Sequence, residues 1–479
     1  VIALTLAEVA SAVGGRLRGG ARPDTVVTGA VRTDSRAVGA GDLFVAIAGE
    51  SHDGHAFASL ATGAGAVAVL AERELDVACV VVDDTVEALG RLARHVLDRL
   101  DGLVVVAVTG SSGKTGTKDL LAQLLPAYGP TVAPAGNLNN EIGLPMTALQ
   151  VDPSTRVLVA EMGARGVGHV RYLTGITPPR IGVVLNVGSA HVGEFGSREL
   201  VARAKAELVE ALPHASAGGV AVLNADDPLV LAMRELTGAR VVTFGESPDA
   251  DVRAVTVGLD DHGRPSFQLV SGGREATVTM RLHGRHQVSN ALAVAAVGLS
   301  LGLDLAEVAS GLSEATPASR WRMEVTETPS GVTVVNDAYN ANPESVRAAL
   351  EALTAMARAT PTRPARRSVA VLGVMRELGD HAVIEHEEIG RTAVRLGVDR
   401  LVLVGAGIEV SALHEGALSE AGRGPTAATT SSVVRDVPAA VALLRDELRA
   451  GDVVLVKASR SAGLERVATA LIQRGGAVR

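Results

Sequence analysis

The segment Val104-Val-Val-Ala-Val-Thr-Gly-Ser-Ser-Gly-Lys-Thr-Gly-Thr-Lys118 constrains the fold more than any other stretch of the chain. A run of β-branched apolar residues, Val104 to Val108, breaks into a small glycine-rich turn. It then opens an amphipathic helix whose apolar positions include Leu120, Leu121, Leu124 and Leu125. In a strand, glycine turn and helix of this kind, backbone N–H groups converge on an anion and the helix N-terminus adds its positive end. Lys114 is placed to set an ammonium between β- and γ-phosphates, and the Thr115 hydroxyl is suited to Mg²⁺. The loop departs from Gly-x-x-x-x-Gly-Lys-Ser/Thr at its first position, which is Val108. What remains, Gly110-Ser111-Ser112-Gly113-Lys114-Thr115, is a shorter cradle. An ordinary glycine turn has no need of Lys-Thr in register after the second glycine, so a nucleotide loop for ATP and Mg²⁺ is expected.

A chain of 479 residues is long enough for about three domains. Its net charge of −8, from 53 acidic and 45 basic residues, argues against a nucleic-acid partner held by bulk electrostatics. The single cysteine, Cys79, lies in the apolar run Val77-Ala-Cys-Val-Val-Val82 and reads as a buried, inert thiol. No apolar run is long enough to span a bilayer, and the N-terminal stretch lacks the basic and apolar segments of a signal peptide. No membrane insertion and a cytoplasmic location are therefore expected. Only four of the basic residues are lysines: Lys114, Lys118, Lys205 and Lys457. In a chain this poor in lysine, either a survivor does chemistry that arginine cannot, or codon bias has left it by chance.

Alternating strands and helices predict an α/β chain in three units. Residues 1–100 form a small α/β unit. Its expected elements are a helix at Leu6–Val13, strands near Val26–Thr33 and Asp42–Ile47, a helix near His55–Thr62, apolar runs at Val67–Leu70 and Val80–Val82, and a closing helix at Val86–Leu100. Residues 101–318 form a larger, mostly parallel sheet, whose ligand sites belong at the carboxyl ends of strands. There the strand Arg156–Ala160 ends in Glu161, and Ile181–Leu185 ends in Asn186 and leads to His191. Residues 251–283 alternate as an antiparallel meander with an Asp261-His-Gly263 turn, followed by a helix from about His286 that carries Asn290. Residues 319–479 form a third open sheet, with strands at Val332–Val335, Ser368–Leu372, Leu401–Val404 and Val453–Val456. Thr360-Pro-Thr-Arg-Pro-Ala-Arg-Arg367 reads as an exposed loop.

Lys205 is the most informative lysine. The helix Ser197 to Leu212 has apolar residues at Leu200, Val201, Ala204, Leu208, Val209 and Leu212, and Lys205 lies four residues from both Val201 and Val209. Two readings stand. The stem packs and the head snorkels to water, or burial lowers the pKa and leaves a neutral amine. A neutral amine reacts with CO₂ to give a carbamate, an anionic ligand that arginine cannot form. Glu161, His191 and Thr115 belong on the same sheet edge as the phosphate loop. A carboxylate at a neighbouring strand end is a common partner of the loop hydroxyl in holding Mg²⁺, and His191 with carbamylated Lys205 would fill a second metal position.

These residues resemble the Mur ligases of bacterial cell-wall synthesis over essentially the whole chain. The strings that carry the resemblance are Thr109-Gly-Ser-Ser-Gly-Lys-Thr115, Gly136-Asn-Leu-Asn-Asn-Glu-Ile-Gly-Leu-Pro145, Ala204-Lys-Ala-Glu207, Asn336-Asp-Ala-Tyr-Asn-Ala-Asn-Pro343 and Leu455-Val-Lys-Ala-Ser-Arg-Ser461. The second and fourth strings are similar to the D-alanyl-D-alanine-adding type (MurF). The resemblance implies an N-terminal domain for a UDP-linked substrate, a central ATPase domain and a C-terminal Rossmann-like domain. It implies Lys205 as the carbamylated lysine, and Glu161 and His191 as metal ligands. It further implies Asn290 near adenine, Arg322 and Asp337 on the nucleotide, and Ser35 at the uridine nucleotide. Asn137 and Asn140 would lie near the substrate's phosphates or sugar, and Lys457, Ser459 and Arg460 would face the dipeptide or the cleft. Two departures are local: Arg320 competes with Arg322, and Val374 stands where relatives commonly have Asp.

The activity implied is ATP-dependent amide formation between a UDP-N-acetylmuramoyl tripeptide and D-alanyl-D-alanine, through an acyl phosphate, by a monomer. The alternatives are a sibling ligase or folylpolyglutamate synthase adding one amino acid, and a nucleotide-gated binding protein. The sibling's Asp-Asn-Pro-Arg string is absent from the sequence. A second metal position has no evident use in a pure switch.

Overall fold

The computed structural model describes residues 2–49, 52–188, 192–360, 363–422 and 429–473. Among the described residues three mixed α/β sheets follow one another along the chain, with a small two-stranded ribbon, Leu4–Thr5 with Val26–Val27, near the start.

The first sheet runs Arg16–Arg18, Cys79–Val81, Ala68–Ala71, Leu43–Val45, Val31–Arg32, parallel except for its first pair. The expected strand Val26–Thr33 is therefore two short strands in two different sheets. The break between them is held by Asp42. Its buried carboxylate accepts the N–H groups of Ala30 at 2.6 Å and Gly39 at 2.8 Å, and a Cβ at Gly29 would lie 2.2 Å from its Oδ1. Arg16–Arg18 carries no apolar alternation to announce it, because its two arginines are exposed at the sheet edge. Cys79 is buried, and burial pushes its thiol up from the ordinary range.

The second sheet is the widest. From one edge it runs Thr131–Val132, Val157–Glu161, Val104–Thr109, Ile181–Val184, Val220–Asn224, Arg240–Gly245 and Val252–Leu259 in parallel, and then the antiparallel strands Pro265–Ser271 and Arg274–Thr279. Val104–Thr109 is buried at every position, as a central parallel strand must be. One face of this sheet shares a continuous apolar core with the first unit, through the helix Thr85–Leu97. Gly90 on that helix lets Ile176 approach, since a Cβ there would lie 3.0 Å from Ile176 Cδ1.

The third sheet runs Glu324–Glu327, Thr333–Asn336, Val453–Lys457, Ser368–Leu372, Arg400–Val404, Thr430–Val434, with only the first pair antiparallel. Its two faces have separate cores. The described part of the 360–367 segment is not simply exposed. Arg363 donates to the carbonyl of Asp261 at 2.6 Å, and Arg366 donates to the carbonyl of Gly451 at 2.6 Å, so carbonyls from distant segments pin it.

Candidate active site

Register places the pieces. Val157–Glu161 and Ile181–Val184 flank Val104–Thr109, with Glu161 opposite Val108 and Val184 opposite Thr109. Three strand ends therefore meet around the turn at Gly110. Gly113 adopts φ +82°, and a Cβ there would sit 2.6 Å from Asn290 Oδ1, so this position needs glycine twice over. Asn290, on the helix Gln287–Ser300, is buried beneath the loop, accepts the Thr117 hydroxyl at 3.4 Å and donates to Gln287 Oε1 at 3.0 Å.

Asn186 brackets the loop from the other side. Its Oδ1 accepts the Ser112 N–H at 2.9 Å, its Nδ2 donates to the Ser112 carbonyl at 3.2 Å, and its own carbonyl accepts the Ser111 N–H at 3.1 Å. The Ser111 hydroxyl accepts the Gly188 N–H at 2.9 Å. Lys114 Nζ folds back onto the Gly110 carbonyl at 2.5 Å. Burial holds its ammonium below the usual lysine range, Glu161 and Glu377 favour the charge, and the Arg322 guanidinium opposes it. Those charges face one another across two domains.

Glu161, the candidate metal ligand, is buried at the end of its strand. Its Oε1 accepts from Asn139 Nδ2 at 2.8 Å and from the Thr115 hydroxyl at 3.3 Å, while Oε2 is buried with no hydrogen-bond partner. An orphaned carboxylate oxygen beside a phosphate-loop threonine fits a hard divalent cation such as Mg²⁺. Among the described residues no group of three His, Cys, Asp or Glu side chains converges on a metal position. The described donor that lies against Glu161 is the Thr115 hydroxyl. His191 lies outside the described residues.

Lys205 is buried on the helix Arg198–Glu210, capped by Ser197, whereas Leu200 of the expected stripe is exposed. Burial, with Lys114 as a second cause, brings its pKa down to about 7. Among the described residues it forms no ion pair, so of the two readings the snorkelling one loses ground. Glu207, from the same string, has a different task. Its carboxylate accepts the N–H groups of Gly168 at 2.6 Å and Arg171 at 3.0 Å, at the start of the helix His169–Ile176. Lys118 is also structural: it pairs with Asp119 and donates to the Pro134 carbonyl at 2.9 Å.

The third unit reaches over the loop. Asn342 Nδ2 donates to the Ser111 carbonyl at 3.4 Å. Arg322 stacks over the Tyr339 ring at 4.4 Å and its Nε is buried without a partner, whereas Arg320 is exposed. Trp321, Met323 and Glu377 each take a left-handed φ, of +59°, +47° and +67°, which is strained for residues with side chains. Asp337 accepts the Met323 N–H at 3.1 Å and pairs with Lys457 Nζ at 2.5 Å. Lys457 also donates to the Asn340 carbonyl at 3.0 Å and is buried, so its ammonium is fully engaged within its own domain. Ser459 is likewise buried and accepts the Arg376 N–H at 2.9 Å. Val374, half-buried, accepts the Ser459 N–H on its carbonyl at 3.0 Å. Arg460 lies over the Trp321 ring at 4.2 Å and pairs with Glu465 at 2.9 Å.

Of the residues expected at the UDP-linked substrate, Ser35 is half-buried in a single 3₁₀ turn whose N-cap is Asp34, and Asn137 is exposed. Asn140 uses its Oδ1 to accept the Gly143 N–H at 2.8 Å, at the start of the helix Gly143–Ala148. Asn139, which sequence reasoning passed over, is the member of that string that reaches Glu161. The repeated asparagines were a signal, but nothing in the sequence says which one turns inward.

Family models match in the same order along the chain: "Mur ligase family, catalytic domain" at residues 28–97, "Mur ligase middle domain" at 108–298 and "Mur ligase, glutamate ligase domain" at 321–460. A UDP-N-acetylmuramoyl-tripeptide--D-alanyl-D-alanine ligase of Mycobacterium bovis is 48% identical, with 98% of both chains covered. The chain belongs to the Mur ligase family. The Escherichia coli K12 ligase of the same name is 35% identical, with 99% of this Mur ligase and 100% of that protein covered. Among solved structures, MurF from Acinetobacter baumannii superposes with a TM-score of 0.86 at 31% identity, covering 98% of this chain and 99% of that one. MurF ligase from Thermotoga maritima in complex with ADP gives 0.79 at 30% identity, covering 94% and 98%. The three-domain architecture of this Mur ligase is that of the MurF structures.

Proposed function

We propose that this Mur ligase joins D-alanyl-D-alanine to the terminal carboxylate of a UDP-N-acetylmuramoyl tripeptide, with ATP converted to ADP and phosphate, in peptidoglycan precursor synthesis. The observation that carries the reading is the convergence of Lys114, Thr115 and Glu161 beside a phosphate loop covered by the third domain. The domains of the proposal are residues 1–100 for the UDP-linked substrate, 101–318 for ATP, and 319–479 for nucleotide and dipeptide. Boundaries near 100 and 318 fall between sheets, after the helices Thr85–Leu97 and Leu305–Glu314.

Gly110 to Thr115 present backbone N–H groups to the phosphates, and Lys114 balances charge as it develops on the transferring phosphoryl group. A tripeptide carboxylate oxygen attacks the γ-phosphorus and ADP leaves, giving an acyl phosphate. The dipeptide amine then attacks the acyl carbon and inorganic phosphate departs. Thr115, Glu161, His191 and Lys205 as its carbamate would hold Mg²⁺, which when bound neutralises phosphate oxygens. Asn290, Arg322 and Asp337 position the nucleotide, with Arg322 adding charge from the third domain. Ser35, Asn137 and Asn140 serve the UDP-linked substrate, and Arg460 faces the dipeptide. Lys457 and Ser459 act by holding Asp337 and the 374–376 loop. ATP and UDP-linked substrates suit a cytoplasmic enzyme without a nucleic-acid partner, and a monomer is part of the reading. Phosphate release is the test, measured with D-alanyl-D-alanine, single amino acids or no amine, with and without the UDP-linked tripeptide. Release that needs both the tripeptide and the dipeptide supports the proposal, and release with a single amino acid instead refutes it.

A further inference from the structure

A cavity of about 490 Å³ opens at the end of the third sheet remote from Asp337 and Lys457. Its lining includes Thr333, Arg367 and Asp452, which stand at or just before the first residues of the strands Thr333–Asn336, Ser368–Leu372 and Val453–Lys457. The opposite, carboxyl ends of those strands lead into the nucleotide side. The wall is completed by a second domain, because His262, in the hairpin turn of the central meander, also lines it.

Three arginines, Arg363, Arg366 and Arg367, line this cavity against two carboxylates, Glu327 and Asp452. Arg363 donates to the carbonyls of Asp261 and Met356, each at 2.6 Å, and its Nε is buried without an acceptor. Arg366 donates to the carbonyl of Gly451 at 2.6 Å, to the Thr333 hydroxyl at 2.5 Å and to the Asp452 carbonyl at 3.3 Å. Among the described residues neither guanidinium takes part in an ion pair, whereas Arg367 is shared between Glu447 at 3.5 Å and Asp452 at 3.6 Å. Carbonyls and a hydroxyl fix the two guanidinium planes, and among the described residues neither plane is held by a carboxylate. Burial and the charge of Arg363 push the Arg366 guanidinium below its ordinary range, while Glu327 and Asp452 oppose that shift. Two fixed, half-buried forks in a cavity of ligand size with an excess of arginine over carboxylate are suited to a planar or tetrahedral oxyanion.

We propose that this cavity is a second ligand site, distinct from the nucleotide site, for a small polyvalent oxyanion such as a phosphate- or carboxylate-bearing metabolite. Its walls belong to two domains, and Arg363 already ties them through Asp261. An anion seated there strengthens that contact and thereby biases the central and third domains toward the arrangement described here.

The test is calorimetric titration of the full chain, with ADP present to fill the phosphate loop, using inorganic phosphate and citrate as separate probes in metal-free buffer. Binding of one or both probes by the wild type is expected, and the stronger of the two identifies the chemistry the site prefers. Arg366→Gln should weaken it at least tenfold. Glu327→Gln, at an exposed position whose side chain makes no hydrogen bond among the described residues, should tighten it several-fold by removing a competing carboxylate. If Arg366→Gln does not fold, the Glu327→Gln titration decides alone. No binding by the wild type at millimolar probe, or unchanged affinity in Glu327→Gln, overturns the proposal.

Discussion

Asn139 orients Glu161: its Nδ2 donates to Oε1 at 2.8 Å, the oxygen that also takes the Thr115 hydroxyl, and so leaves Oε2 buried and unpartnered. The main chain of Asn139 is fixed as well, since its carbonyl accepts the Gly163 N–H at 2.8 Å.

Asn139→Ala should therefore weaken Mg²⁺ binding about 10- to 100-fold, as removal of a partner behind a metal ligand commonly does. Mn²⁺ titration followed by electron paramagnetic resonance, in the presence of ADP, reads this without turnover. Asn139→Asp sets a second carboxylate against Glu161 and should raise the pH at which the metal site forms. Unchanged metal affinity in the alanine variant would separate Asn139 from the site.

Lys205 makes a prediction about stability. Its pKa is about 7 in the folded chain against an ordinary value near 10.5, so between those pH values the unfolded chain binds more protons. Stability of the uncarbamylated protein must then rise with pH through that window and be lowest below pH 7. In CO₂-free buffer, the difference in urea midpoint between wild type and Lys205→Met should shift in favour of the wild type from pH 7 to 10. With bicarbonate supplied, the dependence should flatten, because the carbamate no longer titrates as an amine. Lys205→Arg should stay inactive in either buffer.

Lys114→Ala should lower turnover at least about 10²–10³-fold with the fold intact, because one preorganised charge on the transferring group is lost. Circular dichroism checks the fold and phosphate release checks the activity. Near-normal turnover would place the catalytic nucleotide elsewhere.

The contact between the central and third domains has a glycine on each side. A Cβ at Gly193 would lie 2.2 Å from the Gly379 nitrogen, and one at Gly379 would lie 2.6 Å from Gly193 Cα. Gly193→Ala should therefore push the 374–381 loop away. The expected outcome is a kcat lowered about tenfold, with ADP affinity at the phosphate loop little changed and a larger radius of gyration by small-angle scattering.

Much of the site was legible because its residues stand at element ends that periodicity predicts. Val104–Thr109 announces a buried strand by composition, and Glu161 follows another such strand. Lys205 was visible through its place among apolar neighbours, in a chain with few lysines. The rest depended on side-chain direction, which periodicity does not encode. Asn139 and Asn140 are adjacent and chemically identical, yet one reaches Glu161 and the other caps a helix. Asp337 was read as a nucleotide contact and Lys457 as facing the dipeptide or the cleft, but 120 positions apart they pair with each other. The edge strands Arg16–Arg18 and Thr430–Val434 lacked the apolar runs that marked the central ones.

The account rests on phosphoryl transfer to the tripeptide carboxylate before the amide forms. A UDP-N-acetylmuramoyl tripeptide labelled with ¹⁸O in both oxygens of its terminal carboxylate tests this directly, by mass analysis of the phosphate released with ATP and D-alanyl-D-alanine. The account predicts one ¹⁸O in each phosphate and one retained in the new amide. Unlabelled phosphate accompanying amide product would contradict it.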